Sequence, residues 1–234
     1  MPATDDLAAN FDAVRARIAA AAHAAGRDPA AVALLAVSKA QPAARVRALA
    51  GEGQHAFGEN YPQEAAAKIE ACSDLGLEWH FIGQLQANKT RVVAERFDWV
   101  HSVDRIRLAE RLSDQRPAGS PPLQVLLQVN VSAEPQKGGV RPGELAVLAR
   151  AVAALPRLAL RGLMCIPEPQ RDRAAQRAPY RTLRGLRDRL QADFGDELGA
   201  LDQLSMGMSD DLDAAIAEGA TLVRVGTALF GARG

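Results

Sequence analysis

The stretch "ALLAVSKAQP", residues 33–42, combines a short apolar run, a single lysine and a turn signal that ends at Pro42. A short apolar run without polar alternation is typical of a parallel strand that is buried on both faces. Lysine is usually a surface residue, because burial of its ammonium group is unfavourable unless the group is paired or neutralised. Lys39 is therefore either a chemically functional group at a strand end or a surface lysine that reaches into water.

Further apolar runs follow along the chain and alternate with amphipathic stretches. The predicted strands are 32–38, 55–58, 78–83, 99–103, 123–130, 160–166, 203–207 and 222–226. The predicted helices are 43–52, 61–73, 84–96, 105–114, 142–155, 172–193 and 209–218, with an extra helix at about 5–25 before the first strand.

Strict alternation of strands and helices predicts an α/β fold with a parallel sheet. Eight such units in 234 residues predict a single (β/α)8 barrel of the TIM type, for which roughly 250 residues is typical. An open doubly wound sheet is the alternative, but no GxGxxG motif follows the first strand. Since no linker or break in composition divides the chain, we predict one domain over residues 1–234.

The composition predicts a cytoplasmic protein without nucleic-acid or membrane partners. The formal net charge is zero, so no overall field attracts the protein to nucleic acid or anionic lipid. The N-terminal sequence lacks the basic and apolar regions of a signal peptide, and no apolar run approaches the roughly 20 residues of a membrane span. The two cysteines, Cys72 and Cys165, show no metal-ligand or redox spacing, as expected in a reducing compartment.

The functional groups of such barrels lie at the C-terminal ends of the strands. Leu35, Val37 and Lys39 share one face of the first strand, so Lys39 points at the barrel mouth if that face points inward. His80 and His101 are expected close to the mouth as packing or hydrogen-bonding residues.

The loops after strands seven and eight, "SMGMS" and "RVGTALFG", occupy the usual phosphate site of this architecture. Ser205, Gly207, Ser209, Gly226 and Thr227 fit a phosphate cradle. The alternative is that these residues are turn glycines and helix caps, and Ser209 would be a good N-cap for the helix that follows.

A lysine on one side of the mouth and a phosphate cradle on the other suggest a phosphorylated aldehyde held as a Schiff base. Lysine becomes a nucleophile when partial burial favours its neutral form. A surface lysine and a lysine that binds a sugar phosphate remain the alternatives. A sugar-phosphate isomerase or aldolase would need paired carboxylates at the rim, for which Glu59 and Asp104 are the candidates, although Asp104 could equally cap a helix.

Seven motifs resemble the YggS/PROSC family, the pyridoxal phosphate homeostasis proteins. They run in order from about residue 33 to 233: "AVSKAQP", "FGENYPQE", "WHFIGQLQANK", "HSVDR", "QVNVSAEPQKGG", "GLMCIP" and "LSMGMSDDLDAAIAEGATLVRVGTALFGAR". The resemblance implies a barrel similar to the N-terminal domain of alanine racemase. It also implies a protein that binds pyridoxal 5′-phosphate (PLP) and has no evident catalytic activity.

The same resemblance assigns roles to residues around the cofactor. Lys39 matches the lysine that forms the PLP aldimine, Asn60 a polar residue beside the ring, and Arg224 the arginine that faces the pyridine nitrogen. Lys137 matches a lysine linked to PLP handling, with a solvated loop lysine as the alternative.

The remaining matched positions belong to the phosphate. Ser205, Gly226 and Thr227 match phosphate contacts, and Gly207 and Ser209 lie in the same loop as Ser205.

The resemblance implies a carrier that buffers PLP and delivers it to apo-enzymes. Because the barrel lacks the dimer domain of the racemases, we expect a monomer. The alternative is a PLP-dependent amino-acid racemase, which needs a base on each face of the ring. In the racemases a tyrosine from a second domain of the partner subunit supplies the second base. This chain ends at Gly234 and its tyrosines are Tyr61 and Tyr180, so we expect no second base.

Overall fold

The computed structural model describes residues 4–132, 138–170 and 172–231, and within them eight parallel strands close into one barrel in chain order. The strands are β1 (Ala33–Val37), β2 (Ala56–Glu59), β3 (Glu78–Phe81), β4 (Trp99–Val103), β5 (Leu123–Gln128), β6 (Leu158–Met164), β7 (Gln203–Ser205) and β8 (Leu222–Val225). β8 pairs with β1, which closes the barrel. The predicted (β/α)8 architecture is therefore confirmed.

Helices lie outside the barrel between the strands. In the described ranges they are α1 (Thr4–Ala24), α2 (Ala43–Gly51), α3 (Pro62–Ala71), α4 (Thr90–Arg96), α5 (Ile106–Gln115), α6 (Leu145–Ala153), α7 (Arg173–Leu198), α8 (Leu212–Ala217) and α9 (Thr227–Phe230). The predicted helix at 84–96 is shorter than expected, because a 3-10 turn at Ala87–Lys89 precedes α4. None of these helices combines the length and the apolar character that crossing a membrane requires.

The inner and outer faces of the strands carry different residues. Leu35, Val37, Ile82 and Leu222 form a small apolar cluster separate from the main core between strands and helices. A Cβ at Gly58 would lie 3.1 Å from atoms of both Leu35 and Ile82, so β2 also faces this cluster. Since Leu35 and Val37 face inward, the next residue on the same face of the chain is Lys39, at the C-terminal mouth.

The extra helix α1 supports the last two βα units. Its buried residues Leu7, Phe11, Val14 and Ile18 recur every three or four positions and form one apolar face. Asn10 Nδ2 donates to the carbonyl oxygen of Leu229 at 3.1 Å. The helix thus packs against α8 and α9, which follow β7 and β8.

Gly162 in β6 provides a test of the barrel packing. Its φ is 152°, the pairing register with β5 shifts beside it, and an added Cβ would overlap the carbonyl oxygen of Gln203 in β7. We expect Gly162→Ala to lower the free energy of unfolding by about 3 kcal/mol or more, because the backbone must move to relieve the clash. Denaturant unfolding at 25 °C measures this change.

Gly185→Ala in α7 is the matched control. A Cβ at Gly185 meets no atom within 4 Å, so alanine should stabilise the helix by roughly 0.5–1 kcal/mol. Equal effects of the two substitutions would contradict the close β6–β7 approach.

Candidate functional site at the mouth of the barrel

A cavity of about 270 Å³ opens at the C-terminal end of the barrel. This volume suits one small molecule. The structure brings six of the eight predicted site residues into its wall: Lys39, Asn60, Ser209, Arg224, Gly226 and Thr227. Ser205 and Gly207 do not line it.

The backbone turns sharply just after Lys39. Ala40 has a φ of 59°, a conformation that residues other than glycine rarely adopt. The Ala40 amide donates to Glu64 Oε1 at 2.7 Å, and Lys68 Nζ donates to the carbonyl oxygen of Ser38 at 2.7 Å. These two contacts from α3 fix the backbone on both sides of Lys39, whose half-buried side chain lines the cavity.

A buried ion pair lies behind this turn. Lys68 Nζ is 2.5 Å from Glu59 Oε1, and the two side chains are 4% and 0% exposed. The Ser38 hydroxyl donates to the same carboxylate oxygen at 2.6 Å. Burial raises the pKa of Glu59, and the hydrogen bonds from Lys68 and Ser38 oppose this rise.

The carboxylates proposed for an isomerase or aldolase do not meet at the cavity. Glu59 is engaged by Lys68, and Asp104 pairs with Arg105 at 2.5 Å. Neither carboxylate lines the cavity, so the geometry does not support them as an acid–base pair.

Asn60 follows β2 and forms one wall of the cavity. Its backbone lies so close to Gly83 that a Cβ on Gly83 would overlap it, which explains the glycine after β3. The Asn60 Oδ1 atom is buried and has no hydrogen-bond partner in the part of the chain that the structure describes. A buried polar atom of this kind fits a polar ligand in the adjacent cavity.

Arg224 supplies a buried cation at the base of the cavity and is 4% exposed. Its Nη1 donates to Ser205 Oγ at 2.7 Å and its Nη2 donates to the carbonyl oxygen of Cys165 at 2.9 Å. Burial lowers the pKa of Arg224, yet a guanidinium group stays charged at neutral pH. Burial also raises the pKa of Cys165 to about 12, so its thiol is neutral.

Ser205 lies beneath the cavity instead of in its wall. The residue is fully buried and its Oγ accepts a hydrogen bond from Arg224, and its contact with a phosphate stays a prediction. The reason for its depth is its place in β7: Ser205 is the last residue of the strand, below the loop that forms the cavity wall.

The start of α8 corrects the predicted helix boundary. The helix begins at Leu212 instead of 209, and Asp211 rather than Ser209 is the residue that precedes it. Asp211 Oδ1 accepts from the amide of Met208 at 2.7 Å, and its Oδ2 accepts from the Tyr180 hydroxyl at 2.6 Å. Ser209 is therefore not the helix cap and lies in the cavity wall.

Gly207 and Gly226 serve close packing at this end of the barrel. Gly207 has a φ of 91°, and a Cβ there would lie 2.6 Å from the Cβ of Ala215, so the residue faces α8 and not the cavity. A Cβ at Gly226 would lie 3.3 Å from the carbonyl oxygen of Val37. The loop after β8 thus packs against the end of β1.

The hydrogen-bonding role predicted for His80 and His101 is confirmed, since His80 Nδ1 lies 2.9 Å from His101 Nε2. Their predicted position is wrong, because both are buried inside the barrel and neither lines the cavity at its mouth. Lys137 lies outside the described residues.

Sequence reasoning missed several cavity residues. They are Gln41, Ile166 and Asp210, together with Phe230 and Gly231. Gln41 and Ile166 lie in the motifs "AVSKAQP" and "GLMCIP" and follow β1 and β6, so their position after strand ends was the available signal. Within the described residues, no group of three histidine, cysteine or acidic side chains is arranged to hold a metal ion.

The structure defines a class of protein: a closed parallel barrel with a lysine after β1 and with loops after β7 and β8 that line a cavity at its mouth. Residues 9–234 match the family "Alanine racemase, N-terminal domain".

Full-length relatives narrow this class. The chain is 61% identical to the pyridoxal phosphate homeostasis protein of Pseudomonas aeruginosa over 97% of its length and 96% of the relative. It is 51% identical to the protein of the same name from Escherichia coli K12, over 98% and 97%. PipY of Synechococcus elongatus PCC7942, solved with PLP bound, superposes with a TM-score of 0.80 at 41% identity, covering 92% of this chain and 100% of PipY. The chain belongs to the pyridoxal phosphate homeostasis protein family, which confirms the resemblance seen in its motifs.

Lys68 tests how the strand end that carries Lys39 is held. We expect Lys68→Met to destabilise the protein by about 3 kcal/mol or more, because the carboxylate of Glu59 is then buried without its cation. The double variant Glu59→Gln/Lys68→Met should recover part of the loss, because the fully buried carboxylate of Glu59 is gone, while Glu64, the other partner of Lys68, is 35% exposed and stays hydrated.

Lys89→Met, in the 3-10 turn before α4, is the control and should change stability by less than about 0.5 kcal/mol. Denaturant unfolding of the four proteins gives the comparison. A double variant less stable than Lys68→Met would show that the pair is not the source of the effect.

Proposed function

We propose that the protein binds PLP in the cavity through a reversible Schiff base at Lys39 and takes part in intracellular PLP homeostasis. The observation that carries this proposal is the shared cavity: Lys39 and Arg224 line it together with Ser209 and Thr227 from the loops after β7 and β8. Such a pocket offers an amine, a fixed cation and phosphate-type loops to one small molecule.

The residues present fit PLP. The cavity volume of about 270 Å³ suits a single ring with a phosphate arm, and the unpartnered amide oxygen of Asn60 leaves hydrogen-bonding capacity beside it. Lys39 would take the aldehyde, Asn60 the ring edge and Arg224 the ring nitrogen. Ser209, Gly226 and Thr227 would hold the phosphate, with Ser205 acting beneath the cavity through Arg224.

Lys39 contributes the covalent step. Its neutral amine would add to the aldehyde carbon, a C=N bond would replace the C=O bond, and the carbonyl oxygen would leave as water. Hydrolysis by one water molecule reverses the step and returns the aldehyde. PLP supplies the electrophilic aldehyde, and the reversibility is what allows the protein to release it.

Arg224 makes the pocket poorly suited to carbanion chemistry. PLP is a strong electron sink when an acidic partner keeps its ring nitrogen protonated. A permanently charged guanidinium donates hydrogen bonds and leaves that nitrogen unprotonated. This is consistent with binding without catalysis, although it does not by itself exclude racemization.

The alternative function, a racemase, would need a tyrosine in the cavity as the second base, and neither tyrosine of the chain is placed there. The buried Tyr180 hydroxyl donates to Asp211, and the Tyr61 side chain is 58% exposed. Neither lines the cavity, so the described cavity wall contains no tyrosine that could serve as the base opposite Lys39. We therefore propose that the protein has no catalytic activity of its own.

Delivery of PLP to apo-enzymes in the cytoplasm, by a monomeric carrier, is the further part of the proposal. The exposure of the barrel mouth supports the release of a bound ligand, since Ile166, which lines the cavity, is 41% exposed. A ligand held at this mouth can leave without a large movement of the barrel.

The phosphate contacts are tested by comparing PLP with pyridoxal, which lacks the phosphate. We expect Thr227→Val and Ser209→Ala each to weaken PLP binding roughly tenfold to a hundredfold, because a hydrogen bond to a charged group is worth about 1.5–3 kcal/mol. Pyridoxal affinity should hardly change. Equilibrium titration of absorbance measures both ligands.

Thr182→Val on the exposed face of α7 is the control, since its hydroxyl bonds to its own helix at Ala178. If the Thr227 and Ser209 variants weakened both ligands equally, the two residues would not act on the phosphate.

Transfer tests the carrier role. The loaded protein, mixed with an apo PLP enzyme, should restore the activity of that enzyme at the rate at which it releases PLP, whereas a Lys39→Ala variant should not be obtainable with PLP bound as a Schiff base. The wild-type protein should also turn over L-alanine negligibly.

Free PLP at matched concentration is the reference for the transfer experiment. PLP that stayed bound beside an excess of apo-enzyme would contradict the carrier role. Racemization at about 1 per second or faster would show an enzyme instead.

A further inference from the structure

A continuous line of hydrogen bonds crosses the inside of the barrel. It begins at Glu78, at the N-terminal end of β3, and ends at Arg224 in the cavity wall. Glu78 Oε1 is 2.7 Å from His80 Nε2, and His80 Nδ1 is 2.9 Å from His101 Nε2. His101 Nδ1 is 3.0 Å from Ser205 Oγ, which is 2.7 Å from Arg224 Nη1.

The side chains at the two ends of this line differ in their exposure to solvent. The Glu78 side chain is 49% exposed on the N-terminal face of the barrel. His80, His101, Ser205 and Arg224 are buried, and Trp99 stacks on His80 at 5.3 Å between ring centroids. Four strands, β3, β4, β7 and β8, thus contribute polar residues to one connected path toward the cavity.

The two ends determine the direction of every bond. A guanidinium group only donates hydrogen bonds, and an ionised carboxylate only accepts them. The hydrogen bond from His80 lowers the pKa of Glu78, so Glu78 is a carboxylate at neutral pH. Burial lowers the pKa of His80 and takes that of His101 well below its usual value, so both imidazoles are neutral.

A neutral imidazole has one donor nitrogen and one acceptor nitrogen. His80 Nε2 must donate to Glu78, and His80 Nδ1 must then accept from His101 Nε2. His101 Nδ1 in turn accepts from the Ser205 hydroxyl, which leaves a lone pair of Ser205 Oγ for Arg224.

We propose that Glu78, His80, His101 and Ser205 are positioning residues that hold Arg224 through this one-directional chain, with both histidines as Nε2–H tautomers. The bond dipoles all point the same way, with their negative ends toward Arg224, so each bond polarises the next. Ser205 Oγ thereby becomes a stronger acceptor for the guanidinium.

Among the described residues, the hydrogen-bond partners of Arg224 are Ser205 Oγ and the Cys165 carbonyl oxygen. The buried cation is thus held by a hydroxyl and a carbonyl oxygen rather than by a carboxylate of the described chain. These two hydrogen bonds orient the guanidinium, and the same group lines the cavity, where its positive charge can act on a ligand. That Arg224 meets PLP there rests on the proposed function; the chain itself does not.

The direct test needs no variant and no ligand. Long-range ¹H–¹⁵N NMR spectra of the wild-type protein at pH 7 report which imidazole nitrogen carries the proton. We expect pyrrole-type Nε2 and pyridine-type Nδ1 signals for His80 and His101, with exposed His23 and His55 as internal references. An Nδ1–H tautomer or an imidazolium at either buried histidine would overturn the proposal.

Glu78→Gln tests the role of the carboxylate, because an amide both donates and accepts and no longer sets the direction. We expect mixed tautomers at His80 and His101, and PLP affinity weakened roughly two- to tenfold, the range of one neutral hydrogen bond. Glu52→Gln, an exposed change on the same face of the barrel, should leave both unchanged.

The two readouts separate this proposal from the proposed function. A wild-type protein that shows the expected tautomers but binds no PLP would contradict the function and leave the chain intact. Unchanged tautomers or unchanged PLP affinity in Glu78→Gln, with PLP bound by the wild type, would contradict the positioning role.

Discussion

The parallel pairing of β8 with β1 is the constraint on which the rest of the molecule depends. It places Leu35 opposite Arg224 and Ala36 opposite Val225, so the two strands end side by side. Lys39 after β1 and the Gly226–Thr227 loop after β8 are thereby brought to one mouth. Without this closure, the lysine and the phosphate-type loop would lie at opposite edges of an open sheet.

The barrel accepts two buried charged groups around this mouth. The Glu59–Lys68 pair holds the turn after β1, and Arg224 lies inside the barrel on Ser205. Buried ion pairs are weak evidence of net stability, yet removing one partner is strongly destabilising. We interpret both groups as positioning the cavity wall, because Lys68 holds the backbone next to Lys39 and Ser205 orients the Arg224 guanidinium.

Much of the fold was predictable from local sequence. The non-alternating apolar runs identified all eight strands. The two-residue repeat of β1 predicted Lys39 at the mouth if Leu35 and Val37 face inward, and Lys39 lines the cavity there. The boundaries were less accurate: β5 ends at Gln128, short of the predicted 130, and α8 begins at Leu212.

The errors at the site share a physical cause. Sequence periodicity tells which face of a strand a residue occupies, but not how deep it lies in a barrel, so Ser205, His80 and His101 were placed too near the mouth. The alternative interpretation of Ser209 as a helix cap rested on its residue type. The actual start of α8 depends on backbone dihedrals and on Asp211, whose Oδ1 accepts a hydrogen bond from the amide of Met208. The partners of Arg224 come from distant strands, which no local pattern reveals.

The central claim is that Lys39 is the residue that holds PLP, and the chain allows a sharp test of it. The sequence contains four lysines, Lys39, Lys68, Lys89 and Lys137. Borohydride reduction of the PLP-loaded protein, followed by peptide mass spectrometry, identifies the modified lysine. The account predicts a phosphopyridoxyl group on Lys39. A modification at one of the other three lysines with Lys39 unmodified, or no modification at all, would contradict it.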